Sequence, residues 1–355
     1  MFVGPNGSAY GPCTRARPCR SLNRAYHVAK PGEVVQVAGG SYGRQDLTGD
    51  SSKTSARDVF FKAAPGARVR ISDITFGRYS GSIGASHVTM SRMTFADGVV
   101  FNRVSDVTLR RINIVGGFWI NGSQRIRIIR GRVGPCSGCH PDIQWEYNSN
   151  PKRIPRNILI DGVYFHDMRI GSPGDHVECL QVSDVDGLVI RNSRFRRCGI
   201  FGLHIQGTEA PPPRNILVEN NFFAAALDGG FYSLSIIEGI NVTVRNNSSP
   251  QGFRFGSAGT ISNWLVAGNL APFATAACDD RITFRSNVWG GGRCGGTDRN
   301  VSWLGFRDVG GFNLHLRRDS PAINRGYPGS YPRRDIDHQR RPLGVRPDAG
   351  ADEVR

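Results

Sequence analysis

Short apolar stretches alternate with polar turns along most of the chain. One pattern recurs, in which three alternating or β-branched apolar residues are followed by a turn rich in Asn or Gly. Its copies begin at Val88, Val107, Ile126, Ile158, Leu188, Ile216, Val242, Leu265 and Ile282. Because strand side chains alternate between the two faces of a sheet, each copy predicts a strand with one buried face. In the copy at Val242, we expect Val242 and Val244 to point inward and Thr243 to face solvent.

A single strand of this length cannot bury its apolar face alone. Stacking equivalent strands of successive copies buries a continuous core, which is how solenoid repeats are stabilised. Asn221, Asn247, Asn269 and Asn287 follow their strands at equivalent positions, so their amides can hydrogen-bond from copy to copy. The pattern predicts an all-β fold, a right-handed parallel β-helix, as one domain over residues 1–355. A propeller, with about 40 residues per unit, fits the spacing less well.

The two ends depart from the repeat and predict caps. Residues 21–30 predict a helix with Ser21 as its N-cap and Pro31-Gly32 as its stop. An amphipathic helix there would close the open end of the solenoid. Residues 311–355 are irregular and include Pro/Gly-rich stretches, which suits a loop covering the last turn of the coil. The predicted divisions are an N-terminal cap with the first turn over 1–57, central turns over 58–310, and a C-terminal cap over 311–355.

Eight cysteines predict an oxidising environment. They fall into the close pairs Cys13/Cys19, Cys136/Cys139, Cys179/Cys198 and Cys278/Cys294, which favours disulfides that staple loops and caps. The alternative is zinc, because Cys136 and Cys139 have C-x2-C spacing beside His140. A structural zinc site needs a second pair of ligands, and the nearest candidate, His166, is a lone residue. We expect disulfides, and a protein that is secreted or at the cell surface.

The charge balance indicates an anionic partner. The chain has 45 Lys and Arg against 29 Asp and Glu, a net charge of +16, and a basic surface concentrates anions around it. The arginines are scattered, whereas nucleic-acid-binding proteins usually cluster them. No apolar run approaches the roughly 18 residues of a membrane span. We therefore expect a monomer that binds an anionic polysaccharide, with neither nucleic acid nor a membrane as partner.

A second strand precedes the repeat strand in the middle copies and carries polar and aromatic residues. With Ile120, Trp145, Leu180, Ile205, Leu234 and Phe255 inward, one outward column contains Asn121, Glu146, Gln181, Gln206 and Ser235. A second outward column contains Trp119, Gln144, Cys179, His204, Ser233 and Arg254. Because long polar loops interrupt the copies between about residues 134 and 260, we place the functional surface there. The expected substrate-binding residues are Trp119, Asn121, Gln144, Glu146, Gln181, Gln206 and Ser233.

Three kinds of chemistry suit this surface. In β-elimination on a uronate, Arg or His takes the C5 proton while a cation neutralises the carboxylate, tasks that suit His204 and Arg254. Hydrolysis needs two carboxylates flanking the bond, for which Asp175 and Glu178 are candidates. Asp142 and Glu146 offer oxygen ligands for calcium.

A second candidate catalytic group is formed by Asp175, His176 and Glu178. Glu178 and His176 fall on the inward phase with Leu180, and a buried carboxylate needs a partner. The segment is therefore either a buried polar group whose partners lie within the fold or an active-site cluster. We expect Cys179 to be bonded to Cys198 and not to act as a nucleophile.

The ends of the chain resemble a known superfamily. Phe2-Val3-Gly4-Pro5-Asn6-Gly7-Ser8, Arg17-Pro18-Cys19 and residues 30–42 resemble the N-terminal cap and first turn of secreted pectin-lyase-like β-helix proteins. Residues 320–323, 335–337 and 347–353 look like the terminal signature of many bacterial members. The resemblance implies the parallel β-helix fold and a carbohydrate function. That superfamily includes lyases, hydrolases, epimerases, tailspikes and adhesins, so the fold does not define the activity.

The chain departs from two well-known groups in this superfamily. It has no Arg-x-Pro-x-x-Arg motif of pectate and pectin lyases, and it lacks the Asn-x-Asp, Asp-Asp and Gly-His-Gly elements of polygalacturonases. The favoured function is a polysaccharide lyase that cleaves a uronate-containing polysaccharide by β-elimination. The alternatives are a glycoside hydrolase using a carboxylate pair and a non-catalytic polysaccharide-binding or surface module. We expect no required cofactor, and Ca²⁺ is the one candidate ion.

Overall fold

The computed structural model describes residues 1–53, 55–77, 84–146, 149, 151–208, 211–227, 230–274 and 278–354. In these residues the regular structure is one short helix and a large set of strands, and 25 strands belong to one sheet. Equivalent strands of successive turns pair in parallel. The all-β parallel β-helix expected from the sequence is confirmed.

The first half of the chain contains the helix α1 (Leu22–Val28) and the strands β1 (Phe2–Ser8), β2 (Val34–Val37), β3 (Gly40–Tyr42), β4 (Gln45–Leu47), β5 (Val59–Ala63), β6 (Val69–Phe76), β7 (Ser86–Ser91), β8 (Thr94–Asn102), β9 (Ser105–Ile114), β10 (Phe118–Asn121), β11 (Gln124–Val133), β12 (Cys136–Ser137), β13 (Asp142–Gln144) and β14 (Arg156–Arg169). The remaining strands are β15 (Gln181–Ser183), β16 (Asp186–Arg191), β17 (Arg194–Cys198), β18 (Leu203–Gln206), β19 (Arg214–Glu219), β20 (Phe222–Phe223), β21 (Tyr232–Ile236), β22 (Gly239–Arg245), β23 (Gly252–Phe255), β24 (Ile261–Ala267), β25 (Leu270–Ala271), β26 (Ile282–Arg285), β27 (Val288–Trp289), β28 (Arg299–Asn300), β29 (Phe306–Asp308) and β30 (Asn313–Leu316).

The chain forms two compact units. Unit 1 comprises Met1–Cys136 and Pro141–Leu159, and unit 2 comprises Ser137–His140 and Ile160–Arg355. Each unit is described by itself below. The assignment of residues 1–355 to one domain stays a prediction.

In unit 1 the copies that begin at Val88, Val107 and Ile126 are 19 residues apart, and their strands pair in register. Val88 of β7 lies opposite Val107 of β9, which in turn lies opposite Ile126 of β11. All three side chains are buried. The inward phase predicted for these copies is therefore confirmed, because a β-branched apolar residue occupies the same core position in each turn.

The predicted N-terminal helix is present as α1. Ser21 is its N-cap, with Oγ accepting a hydrogen bond from the Arg24 amide at 3.1 Å. Its buried face consists of Leu22, Ala25 and Tyr26. The Tyr26 hydroxyl donates to the Ser86 carbonyl at 2.9 Å, which satisfies a polar group at the edge of the core. That α1 closes the end of the coil stays a prediction. No helix in the described ranges has the length and apolar character needed to cross a membrane.

A column of buried asparagines follows the repeat strands of unit 2, as predicted. Asn221 Nδ2 donates to Asn247 Oδ1, Asn247 Nδ2 to Asn269 Oδ1, and Asn269 Nδ2 to Asn287 Oδ1, each at 3.0 Å. Each of these acceptor oxygens also binds the backbone amide of the preceding member. Each Nδ2 also donates to a strand carbonyl of the turn before. These buried amides are satisfied by neighbouring turns, so the column holds the turns in register.

The residue before each asparagine of the column turns the backbone at the corner between two strands. Asn220, Asn246, Gly268 and Ser286 have φ of 61°, 50°, 61° and 51°, in the left-handed region. Asn and Gly enter that region at lower cost than most residues. The dipeptides Asn-Asn and Gly-Asn therefore encode a corner and a ladder position together.

One predicted strand phase is wrong by one residue. Val242 lies opposite Trp264, and Thr243 lies opposite Leu265. Trp264 is buried and its Nε1 donates to the Gly239 carbonyl at 2.7 Å. The run Trp-Leu-Val is apolar throughout, so alternation alone did not reveal which residues point inward.

The C-terminal segment packs against several turns of unit 2. Its buried Leu314, Leu316, Ala349 and Ala351 belong to an apolar cluster that includes Phe222, Leu270 and Val288, each from a different turn of the coil. The Gly350 amide donates to the Gly268 carbonyl at 2.7 Å. These residues thus pack along unit 2 and complete its hydrogen bonds and apolar packing, and that the segment caps the end of the coil stays a prediction.

The cysteines are disulfide-bonded and none is free in the described chain. Cys13–Cys19, Cys179–Cys198 and Cys278–Cys294 are bonded as predicted. Cys136 and Cys139 are disulfide-bonded as well. The zinc alternative at Cys136 and Cys139 is wrong for this structure, because zinc binds the thiolate and a disulfide sulfur is not one.

Candidate functional site

Four equivalent positions on neighbouring strands of unit 2 form one column. Gln181 of β15 lies opposite His204 of β18, His204 opposite Ser235 of β21, and Ser235 opposite Arg254 of β23. His204 and Arg254 are thus two strand spacings apart, about 10 Å. The sequence-based expectation that they share a column is confirmed.

The neighbours in that column differ from the prediction. Val182 and Ile236 lie opposite Ile205, where Leu180 and Leu234 were expected. Each segment offers two apolar residues two positions apart, so both registers bury an apolar side chain and alternation does not distinguish them. Consequently Ser235, and not Ser233, stands between His204 and Arg254.

A histidine–carboxylate dyad lies beside this column. His176 Nδ1 is 2.5 Å from Glu178 Oε1, and the His176 side chain is 56% exposed while that of Glu178 is 0% exposed. Glu178 is buried as predicted, but the inward placement of His176 is wrong. Residues 176–180 are not a strand, so strand alternation does not apply to them. A carboxylate on Nδ1 orients an imidazole and leaves Nε2 for a ligand or a proton.

His204 is packed under an aromatic ring. The Phe201 ring lies parallel to it with centroids 5.0 Å apart, and the His176 ring centroid is 6.0 Å away. Its Nε2 is 3.2 Å from Gln206 Oε1. The expectation that His204 faces open solvent is wrong, since only 5% of the residue is exposed. Burial lowers the pKa of His204 to about 4, against the effect of the Gln206 hydrogen bond, so the imidazole is neutral at pH 7.

His140 and Arg254 add to this group. Burial lowers the pKa of His140, and the charge of neighbouring His176 lowers it further. Arg254 is partly exposed, and its Nη2 donates to Ser257 Oγ at 3.0 Å. It has no carboxylate partner in the described part of the chain. We name His140, His176, Glu178, His204 and Arg254 the histidine cluster. Sequence reasoning considered His140 only as a zinc ligand.

Asp175 has a structural role in its loop. Its Oδ2 accepts hydrogen bonds from the amides of Gly171 and Ser172, at 3.1 and 2.7 Å. The carboxylate therefore organises the turn that precedes His176.

In unit 1 the predicted register is shifted by two residues. Trp119 lies opposite Asp142, and Asn121 lies opposite Gln144. Ile143 is the core residue of β13, where Trp145 was expected; Trp145 is partly exposed and Lys152 Nζ lies 4.4 Å from its ring centroid. Trp119 and Gln144 remain partly exposed, as a substrate-binding role requires.

Asn121 and Glu146 do not line an open surface. Asn121 is 4% exposed and donates to Asn102 Oδ1 at 2.8 Å. Glu146 is 5% exposed, and its carboxylate is 3.3 Å from Arg103 Nε. Asp142 is also buried. A guanidinium beside Glu146 competes with a cation for its oxygens, and calcium at Asp142 and Glu146 stays a prediction.

The other predicted substrate-binding residues lie in unit 2. Gln181 and Gln206 are partly exposed. Ser233 is fully buried, and its hydroxyl is 2.7 Å from that of Ser249. The outward placement of Ser233 is therefore wrong, because it belongs to the core side of the shifted register.

One group of side chains in the described part of the chain has the spacing of metal ligands, namely His315, Asp337 and Asp352. The His315 ring nitrogens are both 2.6 Å from an oxygen, of Asn313 and of Asp337. The bond to Asp337 raises the pKa of His315. Asp352 accepts the Leu316 amide at 2.7 Å. These contacts are those of an ion-pair network that ties the C-terminal segment together.

No protein-family model and no curated protein sequence matches this chain. Among solved structures it is similar to pectate lyase Pel9A, with 14% identity and a TM-score of 0.49 over 100% of this chain and 97% of that one. It is similar to PfbA, a surface adhesin of Streptococcus pneumoniae, with 13% identity and a TM-score of 0.45 over 75% and 78%. It is similar to a rhamnogalacturonan lyase, with 10% identity and a TM-score of 0.32 over 90% and 93%. At these identities the likeness concerns the fold alone.

Proposed function

We propose that this protein is an extracellular polysaccharide lyase that cleaves a uronate-containing polysaccharide by β-elimination at the histidine cluster. The observation that carries the proposal is the His176–Glu178 dyad, an exposed imidazole whose Nδ1 lies 2.5 Å from an oxygen of a buried carboxylate. The His176 ring centroid lies 6.0 Å from that of His204, and Arg254 shares the column of His204 two strand spacings away, with a guanidinium that has no carboxylate partner among the described residues. A base and a cation around the same His204 are the two groups that removal of a proton next to a carboxylate needs.

The geometry favours His176 as the base over His204. The His176 ring is largely exposed, whereas His204 lies under Phe201 and its Nε2 is occupied by Gln206. Glu178 favours the proton on Nδ1 of His176, so Nε2 is free to accept another.

The reaction follows from these positions. Arg254 pairs with the substrate carboxylate and stabilises the negative charge that develops on it. His176 Nε2 takes the C5 proton, the electron pair of that C–H bond forms the C4–C5 double bond, and the C4–O glycosidic bond breaks. The departing oxygen takes a proton from water, and the hydroxide that this leaves takes the proton from His176, which restores the neutral imidazole. The products are a 4,5-unsaturated uronate and a new reducing end.

Hydrolysis fits the same side chains less well. It requires two carboxylates that reach the glycosidic bond from opposite sides. Glu178 is completely buried, and Asp175 is held by two backbone amides. Neither carboxylate is placed to flank a sugar ring.

The direct test is product formation. The disulfide-bonded protein is incubated with a panel of uronate polysaccharides while the ultraviolet absorbance of the unsaturated uronate and the number of reducing ends are followed together. Both should rise in step. Reducing ends without the absorbance would replace the lyase with a hydrolase, and retention on a polysaccharide without any product would replace it with a binding module.

Variants then test the roles. His176→Ala and Arg254→Ala should each reduce turnover by about a hundredfold or more, the lower range for an acid–base or charge-stabilising group. Glu178→Gln should lower kcat with little change in KM, since Glu178 acts through His176. Thr243→Ala, on a repeat strand, is the matched control and should retain full activity. Full activity in the His176 and Arg254 variants would place the reaction elsewhere.

Location and metal dependence are part of the proposal. The disulfides support a protein that works in an oxidising, extracellular setting. The net charge of +16 supports an anionic substrate. Activity that survives EDTA unchanged would exclude the predicted calcium at Asp142 and Glu146 as a requirement.

A further inference from the structure

A second concave site lies in unit 2, on the C-terminal segment. It is a cavity of about 780 Å³ between the end of β22 and residues 328–342. Five of its lining residues are arginines, namely Arg245, Arg333, Arg334, Arg340 and Arg341, and the others include Ser330 and Tyr331. No carboxylate is among the described residues that line it. We name it the arginine cavity.

Two of the arginines are neutralised from outside the cavity. Arg245 pairs with Glu219 at 2.7 Å and also donates to Ser330 Oγ. Arg341 is fully buried and pairs with Glu353 at 2.9 Å. These contacts fix the two arginines in the wall of the cavity. They do not neutralise the charge of the other three arginines that line it.

The remaining three arginines are exposed and carry uncompensated charge. Arg334 donates to the His338 carbonyl at 2.7 Å, and Arg333 and Arg340 form no ion pair within the described residues. Antiparallel pairing places Arg334 opposite Arg340 and Arg333 beside Arg341, through an Arg341 amide to Arg333 carbonyl bond of 2.9 Å. Like charges held opposite each other across a strand pair are destabilising. An anion between them would relieve that repulsion.

The lining residues and the volume of the cavity indicate the kind of anion that it binds. Guanidinium groups recognise carboxylate, sulfate and phosphate oxygens through paired hydrogen bonds. The cavity is within the roughly 300–1,000 Å³ of small-molecule sites, whereas a water occupies only about 30 Å³. It therefore has room for more than a simple ion. Tyr331 contributes an aromatic ring and a hydroxyl to the wall, features suited to a sugar.

We propose that the arginine cavity is a second binding site for an acidic saccharide, which it holds by a carboxylate or sulfate group. The site is separate from the histidine cluster. Arg245 ends β22, which pairs with the repeat strands β19 and β24, whereas His204 and Arg254 lie on β18 and β23, which both pair with β21. Binding there requires no catalysis. The site would tether an anionic chain to the protein while another part of that chain occupies the histidine cluster.

The test is a titration of the full-length protein, carrying Arg254→Ala to suppress binding at the histidine cluster. The probes are tetragalacturonate, a sulfated tetrasaccharide, neutral maltotetraose and inorganic sulfate. Arg333→Gln with Arg340→Gln should weaken binding of an acidic tetrasaccharide at least tenfold. Arg293→Gln with Arg299→Gln removes the same charge from exposed positions outside the cavity and should change affinity less than twofold.

Three results would overturn the inference. Equal loss in both double variants would mean a general effect of net charge. Equal binding of maltotetraose would mean that the anionic group is not recognised. Inorganic sulfate binding as tightly as the saccharides would mean a site for a free ion. With Arg254 intact, the Arg333→Gln, Arg340→Gln double variant should keep its catalytic turnover on short substrates. Loss of saccharide binding at the arginine cavity and loss of lyase activity are therefore measured separately.

Discussion

The asparagine column allows a quantitative prediction at Asn247. Its Oδ1 accepts from the backbone amide and from Nδ2 of Asn221, and its Nδ2 donates to the Val218 carbonyl and to Asn269 Oδ1. All four residues that carry these groups are 0% exposed. Asn247→Ala leaves four buried groups without that partner, each at a cost of about 1–3 kcal/mol. With relaxation and some entry of water, we expect the free energy of unfolding to fall by about 4 kcal/mol.

The assay is urea unfolding of the disulfide-intact protein, together with hydrogen exchange of the peptide that contains Asn221. The Asn221 amide should exchange faster in Asn247→Ala, because its acceptor is the deleted Oδ1. The matched control is Asn113→Ala, at an exposed position of β9, which should change the free energy of unfolding by no more than about 0.5 kcal/mol. Asn247→Asp keeps the acceptor but turns an oxygen toward Val218 and Asn269, and should be at least as damaging as the alanine.

A small effect would refute the reasoning. If Asn247→Ala and Asn113→Ala shift the unfolding midpoint equally, and exchange at Asn221 is unchanged, then the column does not hold the turns in register. The stability of unit 2 would then depend on apolar stacking alone.

Further predictions concern the core, the C-terminal segment and the disulfides. Val244→Asp buries an unpaired charge at a fully buried position and should lower the free energy of unfolding by several kcal/mol, about 3 or more, measured in urea. Burial raises the pKa of Asp335 from 3.8 to about 6, so its folded state favours the protonated carboxyl and loses stability as pH rises through that window. Asp335→Asn should accordingly be more stable than wild type at pH 8, by up to about 3 kcal/mol, and not at pH 3.5; an equal effect at both pH values would contradict the assignment. Thiol titration of the denatured, unreduced protein should find no free thiol, whereas two reactive thiols would contradict the bonded state of Cys136 and Cys139.

The repeat strands were predictable because one local rule applies to each copy. A β-branched residue that alternates with a polar one has a single phase that buries it, as with Val242, Thr243 and Val244. The Asn-Asn dipeptide at 246–247 supplies both a left-handed corner and a stacked amide, so its role is visible in the sequence. The close cysteine pairs were predictable for a similar reason, since their partners lie near in sequence.

The register of the second strand was not predictable from alternation. Its segments carry apolar residues two positions apart, such as Ile143 with Trp145 and Leu180 with Val182. Either residue satisfies the core, so the pairing with neighbouring strands decides the register. That choice moved Ser233 into the core and placed Ser235 between His204 and Arg254.

The amino-acid sequence by itself determined the solenoid, the inward phase of most repeat strands, the asparagine column and the disulfide-bonded state, because each depends on residues close together in the chain or repeated at a regular interval. Tertiary structure decided the chemistry of the surface. It exposed His176 on a non-strand segment while burying its partner Glu178, and it covered His204 with Phe201. It also folded residues 328–342 back to Arg245 and so gathered the arginine cavity from distant parts of the chain. Contacts of this kind join residues with no periodic relation to one another, and packing alone brings them together.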